Sequence, residues 1–154
     1  MVTDMAMTTK ATDRDAAARR LRLARRHADE AFSAYIRARD SREVGGKRMF
    51  VCISCGRLLP FSQADCGHYV NRAVEALRYS EENCHAQCRH CNRFREGNMS
   101  GFRRGLVSMY GEQRVTLLEA SKNVKVKHGS AELEFIARYY KDKTKKIKDY
   151  GRRI

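Results

Sequence analysis

Two cysteine pairs have the type and spacing that bind a metal ion. Cys52 and Cys55 enclose two residues, and so do Cys88 and Cys91. Together the pairs supply four thiolates, which suits the tetrahedral preference of zinc. The alternative is redox chemistry at one pair, but that chemistry usually belongs to a single pair at a helix start in a thioredoxin-like βαβ pattern, which this sequence lacks. The spacing therefore predicts one structural Zn²⁺ ion.

The segment between the pairs, and the residue after the second pair, could cut a phosphodiester bond. That reaction needs a base to activate water and a cation to stabilise the charge on the phosphate and the leaving oxygen. His68 is the candidate base, because a neutral histidine can accept a proton near physiological pH. Asp65 and Asn92 offer oxygen ligands that suit Mg²⁺ or Mn²⁺. Zinc at the neighbouring Cys91 would hold Asn92 rigidly.

The spacing sets a condition on this site. Asp65 lies three residues before His68, so on a regular strand the two side chains face opposite sides. Gly67 could permit a bulge that brings them together. A bulge at this point is thus a condition for Asp65 and His68 to share one site.

Two cysteines lie outside the pairs, Cys66 and Cys84. Cysteine behaves as a small hydrophobic residue when it is buried. We expect both to be packing residues, with a second metal site or a redox role as the alternative.

A long helix should precede the cysteine-rich segment. Residues 13–41 contain neither glycine nor proline, and apolar residues recur there at three- and four-residue steps. The opposite side of this helix is rich in arginine. Gly45 and Gly46 are expected to end it. The apolar stripe consists of Leu21, Ala24, Ala28, Phe32, Tyr35 and Ile36.

Helical patterns return after the cysteine-rich segment. One begins near Ser100 and stops at Gly111, and another begins near Ser130 and runs into a lysine-rich tail. Short β-like pieces between two helical regions predict an α+β fold. We divide the chain into a disordered arm (1–11), a long basic helix (12–46), a zinc-bound core with its following helices (47–122), and a linker with a basic C-terminal helix (123–154).

The formal net charge of +14 suggests a polyanionic partner, most simply nucleic acid. No apolar run is long enough to span a membrane, and residues 1–10 lack the apolar stretch of a secretory signal, so we expect a cytoplasmic protein. Arginines near the predicted site are candidates for phosphate contacts that do not read sequence. They are Arg72, Arg78, Arg89, Arg93, Arg95, Arg103 and Arg104.

These motifs, taken together, resemble the phage NinG family, whose lambdoid member is also called Rap, a recombination endonuclease. The resemblance covers about residues 31–119. The residues that carry it are Cys52-Ile-Ser-Cys55-Gly56, Asp65-x-Gly67-His68-Tyr69, Asn83-x-His85-x-Gln87-Cys88-x-x-Cys91-Asn92 and Gly97-Asn98.

The resemblance implies a zinc-anchored ββα-metal core of the HNH-like, treble-clef type, surrounded by helices. On that pattern His68 would be the general base, and Asn83 would brace the loop and orient the base. Asp65 and Asn92 would hold the catalytic ion. Apart from the resemblance, His85 is a candidate either for phosphate contact or for support of the residues around the site.

The resemblance also implies branched DNA as the substrate, such as Holliday junctions or related recombination intermediates in a bacterial host. Because resolving a junction requires paired nicks, a homodimer is expected, with the N-terminal helix as a candidate interface. Two alternatives stay open. One is a non-catalytic zinc-dependent nucleic-acid-binding module, and the other is a sequence-specific HNH-type nuclease, which would need a base-reading element.

Overall fold

Two long helices form one side of the molecule. The computed structural model describes the backbone of residues 2–151 and the side chains of residues 13–147. Helix α1 spans Val2–Arg39 and helix α5 spans Ser130–Gly151. The predicted apolar stripe of α1 is buried against α5, and its alanines let the two helices approach closely. The core of this pair consists of Ala24, Ala28, Ala31, Phe32, Tyr35, Ile36, Leu133, Ala137 and Tyr140.

The start of α1 differs from the prediction. The helix begins at Val2, whereas the sequence predicts a disordered arm over residues 1–11. The side chains of that stretch lie outside the described residues, so their contacts stay untested.

A β-hairpin follows α1 directly. Strand β1 (Ser41–Val44) pairs antiparallel with β2 (Lys47–Val51). The predicted role of the two intervening glycines is wrong, because the helix already stops at Arg39. Gly45 and Gly46 instead turn the hairpin, with φ angles of 56° and 73°. A two-residue hairpin turn of this kind needs positive φ at both positions, which glycine adopts freely.

The central element is a second hairpin. Strand β3 (Leu58–Pro60) first joins the free edge of β2. Strand β4 (Ala64–His68) then pairs with β5 (Cys84–Cys88) in one continuous antiparallel register. Strand β4 therefore lacks the bulge that Gly67 could have permitted. Because side chains alternate along a regular strand, Asp65 and His68 point to opposite faces of this hairpin.

Shorter helices surround the second hairpin. Helix α2 (Glu75–Arg78) lies in the connection between its strands, and a π-helical turn (His90–Phe94) follows β5. Helices α3 (Met99–Tyr110) and α4 (Glu112–Ala120) come next. The predicted stop at Gly111 is confirmed, since this residue separates α3 from α4 with a φ of 82°.

Helix α3 packs directly on the first cysteine pair. A Cβ atom on Gly101 would lie 2.2 Å from the carbonyl oxygen of Ser54, and one on Gly105 would lie 2.4 Å from that of Ile53. Only glycine permits so close an approach between helix and backbone. The hairpin β4–β5 thus has α1 on one face and α3 on the other, which fixes where its side chains point.

Candidate metal centre and adjoining cleft

Four cysteines converge as their spacing predicts. The Sγ atoms of Cys52, Cys55, Cys88 and Cys91 all lie within 4.8 Å of one another. The Sγ atoms of Cys55 and Cys88 are 3.9 Å apart. Four thiolates at ~2.3 Å from a zinc ion would have S···S distances of ~3.8 Å. The cluster therefore has the chemistry and the dimensions to hold a metal ion such as zinc.

Hydrogen-bond donors surround these sulfur atoms. The backbone N–H of Cys91 lies 3.4 Å from the Sγ of Cys88, and the Nδ2 atom of Asn98 lies 3.4 Å from the Sγ of Cys91. Burial opposes ionisation of Cys55, but the backbone and side-chain N–H groups of Arg57 outweigh it and lower the pKa of that thiol to about 6. Burial instead raises the pKa of Cys52 to about 12 and that of Cys91 above its ordinary value, so binding of a metal ion would have to displace their protons.

The second cysteine pair also positions Asn92. This residue follows Cys91 in the π-helical turn, and its Nδ2 atom donates to Oδ2 of Asp65 at 3.1 Å. Arg93 adds two bonds to the same carboxylate, of 2.7 and 2.8 Å. Burial raises the pKa of Asp65, but the contacts with Arg93 and Asn92 outweigh it and leave the pKa below its ordinary value. The structure thus brings the two predicted oxygen ligands together.

His68 ends strand β4 on the opposite face, in a cleft of about 570 Å³. Its Nε2 atom lies 3.1 Å from the carbonyl oxygen of Arg78. A carbonyl can only accept, so Nε2 carries the proton and Nδ1 keeps a free lone pair. Burial, helped by the charges of Arg72 and Arg78, lowers the pKa of His68 below 6.5. The ring is therefore neutral near pH 7 and can accept a proton at Nδ1.

Asn83 holds the connection between β4 and β5, the segment that includes the carbonyl group of Arg78. Its side chain is fully buried, and Nδ2 donates to the carbonyl oxygens of Val70 and Leu77 at 2.9 and 3.1 Å. Its Oδ1 atom accepts from the backbone N–H of Val70 at 2.7 Å. One amide therefore ties the connection together just before Arg78. These bonds fix the backbone on both sides of α2.

A further clamp comes from α1, and sequence reasoning missed it. Asp29 accepts from Nε and Nη2 of Arg78 at 2.8 and 2.6 Å. It also accepts from Arg72 and from the hydroxyl of Tyr79. Arg78 is buried, so it cannot make the phosphate contact predicted for it. No local pattern marks this pair, because the two residues are 49 positions apart and meet only when α1 packs on the connection.

Of the two roles predicted for His85, the structure disfavours the phosphate contact. It is 2 % exposed and points away from the cleft. Its Nδ1 atom lies 3.3 Å from Asp40 and 3.0 Å from Arg39, and its Nε2 atom lies 3.1 Å from the hydroxyl of Tyr110. With both nitrogens engaged inside the protein, the ring has no atom left for a phosphate. It supports the core instead.

The predicted site residues therefore fall into two groups that meet at one residue. His68 lines the cleft, and Asp65 lies on the other face of the hairpin, beside Arg93. Asn92 belongs to both groups, because it contacts Asp65 and also lines the cleft. The cleft is lined by Asp29, Phe32, Cys66, His68, Asn92 and Glu96, among others.

The fold and the site define a small α+β protein with a four-cysteine cluster of metal-binding geometry beside a histidine-containing cleft. In the part of the chain that the structure describes, no helix is long and apolar enough to cross a membrane.

Comparison with known proteins gives the family. A family model described as Bacteriophage Lambda NinG protein matches residues 5–150. The chain is 38 % identical over 99 residues to Protein ninG of Escherichia phage lambda, covering 64 % of this chain and 45 % of that relative. It is 34 % identical over 125 residues to Protein ninG of Salmonella phage P22, covering 80 % of this chain and 57 % of that relative.

The chain therefore belongs to the NinG family. It spans about half the length of the curated relatives that it matches. No solved structure matches.

Proposed function

We propose that this protein is a metal-dependent DNA endonuclease that cuts branched DNA, such as Holliday junctions or related recombination intermediates. It would act during phage or prophage recombination in the cytoplasm of a bacterial host. The observation that carries the proposal is the state of His68, a neutral imidazole with a free Nδ1 atom in an open cleft. Membership of the NinG family and the net charge of +14 support it.

In the proposed reaction, Nδ1 of His68 takes a proton from the water that attacks phosphorus. The carbonyl oxygen of Arg78 keeps the ring in the required tautomer and stabilises the imidazolium that forms. Asn83 is a positioning residue, because it fixes the connection that presents this carbonyl.

The oxygen ligands fit a hard divalent ion. Asp65 and Asn92 are neighbours, and a Mg²⁺ ion typically keeps several waters beside one or two protein oxygens. In this structure Asn92 and Arg93 donate to both oxygens of Asp65, so an ion bound there would have to displace these donors. Bound there, Mg²⁺ or Mn²⁺ would stabilise the charge that develops on the phosphate and the leaving 3′ oxygen. The Arg93 side chain is 55 % exposed and is paired with Asp65 through Nε and Nη2, so a phosphate contact next to this pair would use its Nη1 atom.

The charged surface fits a DNA backbone. Exposed arginines lie along the solvent side of α1, and phosphate contacts of this kind give affinity without reading sequence. The apolar stripe of α1 is already covered by α5. If the protein acts as a homodimer, α1 must therefore contribute through its polar sides. The exposed arginines of α1 include Arg19, Arg20, Arg22 and Arg26.

The test is cleavage of a synthetic four-way junction and a matched linear duplex, with Mg²⁺ and with Mn²⁺. We expect the wild type to cut the junction preferentially. His68→Ala should still bind the junction but not cut it, while His27→Ala, a change on α1 outside the cleft, should cut like the wild type.

Two other outcomes would replace the proposal. Zinc-loaded protein that binds DNA but cuts with neither metal ion would be a binding module. Cutting of linear duplex at defined sites would indicate a sequence-specific nuclease.

A further inference from the structure

A second group of metal-ligating side chains lies in the cleft, separate from the four-cysteine cluster. The strand register places His68 opposite Cys84, and Cys66 precedes His68 by two residues on the same face. The Sγ atoms of both cysteines and a ring nitrogen of His68 all lie within 4.8 Å of one another. Both thiols are free.

Two of the three groups also lie near one carbonyl oxygen, and all three border the same part of the cleft. The carbonyl oxygen of Arg78 lies 3.1 Å from Nε2 of His68 and 3.9 Å from Sγ of Cys84. Cys84 is fully buried beneath the other two, whereas Cys66 and His68 are partly exposed and line the cleft. An ion held there would have protein ligands on its inner side and open space on its outer side.

We propose that Cys66, Cys84 and His68 form a second metal site, selective for a thiophilic divalent ion such as Zn²⁺. Two thiolates and an imidazole, with one position left for water, are a known ligand set for zinc, whereas Mg²⁺ prefers oxygen. Binding would release the two thiol protons to solvent and change no oxidation state.

The site would regulate the activity proposed above, and this consequence rests on that proposed function. A neutral imidazole has a single lone pair, which serves either as a base or as a metal ligand. Zinc bound to His68 therefore removes the proposed base. The four-cysteine cluster would hold one zinc ion for structure, while a second ion in the cleft would switch cleavage off.

Cobalt titration tests the site without any reference to cleavage. Protein carrying one equivalent of zinc is titrated with Co²⁺, which displaces zinc poorly because it binds the same ligands more weakly. We expect a near-ultraviolet thiolate-to-cobalt absorption band that saturates at one further equivalent. A second equivalent of Zn²⁺ should abolish the band by competition.

Variants identify the residues that bind the cobalt ion responsible for this band. Cys66→Ser should weaken cobalt binding by at least about tenfold, since even the loss of an outer hydrogen-bond partner costs that much at many sites. His68→Gln should weaken it as well, and the matched change His27→Gln should not. Circular dichroism checks that each variant is folded, and His68→Gln decides the question if Cys66→Ser is not.

The outcomes separate the site from the proposed function. A missing band, or a band that survives both Cys66→Ser and His68→Gln, would overturn the second site. If the band behaves as expected, excess Zn²⁺ should inhibit cleavage by the wild type and spare Cys66→Ser. A protein that shows the band but never cuts DNA would keep the site and lose the nuclease.

Discussion

The contact between Asp29 and Arg78 gives the sharpest prediction on stability. Replacing Asp29 by Asn keeps the size of the side chain but removes the charge that faces Arg78. The Arg78 side chain is 9 % exposed and that of Asp29 is 26 % exposed, so the guanidinium would stay desolvated with only Glu75, 3.6 Å away, as its counter-ion.

The size of the effect follows from this burial. Removing one partner of a buried ion pair costs roughly 3–5 kcal/mol, and the partial exposure of Asp29 favours the lower end, about 3 kcal/mol. The neighbouring residue on the same helix provides a matched control. Glu30 pairs with Arg26 at 3.7 Å, and both side chains are about two-thirds exposed. Glu30→Gln should therefore change the free energy of unfolding by less than about 0.5 kcal/mol.

The pH dependence of the same pair adds a second measurement. Burial raises the pKa of Asp29, but the hydrogen bonds and charge of Arg78 outweigh it, so the folded-state pKa lies below 3.8. A depressed carboxyl pKa stabilises the folded state above about pH 4, and this contribution is lost as the pH falls through the folded-state pKa. The difference in the free energy of unfolding between wild type and Asp29→Asn should therefore be constant near neutral pH and become smaller below about pH 4.

Urea unfolding of the wild type and the two variants, from pH 3 to pH 7, measures both effects. If Asp29→Asn costs no more than Glu30→Gln at pH 7, the ion pair does not anchor the connection to α1. If the difference in the free energy of unfolding stays constant down to pH 3, the carboxyl group with the lowered pKa is not Asp29.

Three further predictions concern other parts of the chain. Gly67→Ala should lower the free energy of unfolding by roughly 1–3 kcal/mol in urea titrations, because overpacking forces neighbouring atoms to shift. The new Cβ would lie 2.5 Å from Oε1 of the buried Gln87. The control Gly129→Ala meets nothing within 4 Å and should have little effect. Burial raises the pKa of Asp40, but His85 and Arg39 outweigh it and lower the pKa from 3.8 to about 2. This carboxylate should therefore contribute about 2 kcal/mol above about pH 4, lost as the pH falls towards 2; unfolding of Asp40→Asn should lack this acid dependence. Removal of zinc by a strong chelator should abolish cooperative thermal unfolding, and purified Cys88→Ser should contain one zinc ion fewer per chain than the wild type, as metal analysis of both proteins would show.

The sequence predicts those features that depend on local spacing. The spacing within the two Cys-x-x-Cys pairs predicts that the four cysteines form one cluster. The helices follow from apolar periodicity. The second cysteine pair also determines where Asn92 lies, because Asn92 directly follows Cys91. It contacts Asp65 there.

Features that depend on tertiary packing could not be predicted. The sequence suggests Gly67 as a bulge residue. In the structure, its missing side chain instead leaves the space that the side chain of Gln87 occupies. Gly45 and Gly46 look like a helix stop, and only the early end of α1 shows that they turn a hairpin. The sequence leaves His85 as a candidate for phosphate contact or support, and only the structure shows that Arg39 at the end of α1, Asp40 after it and Tyr110 of α3 occupy its ring.

The position of His68 shows how such packing reaches the proposed chemistry. Its tautomer depends on the carbonyl of Arg78, the carbonyl depends on the connection that Asn83 ties, and the connection is anchored to α1 by Asp29. A long helix that carries no candidate base or metal ligand therefore sets which nitrogen of the histidine is free. For this reason, a change at Asp29 should weaken cleavage as well as stability, even though Asp29 need never touch the phosphate that is cut.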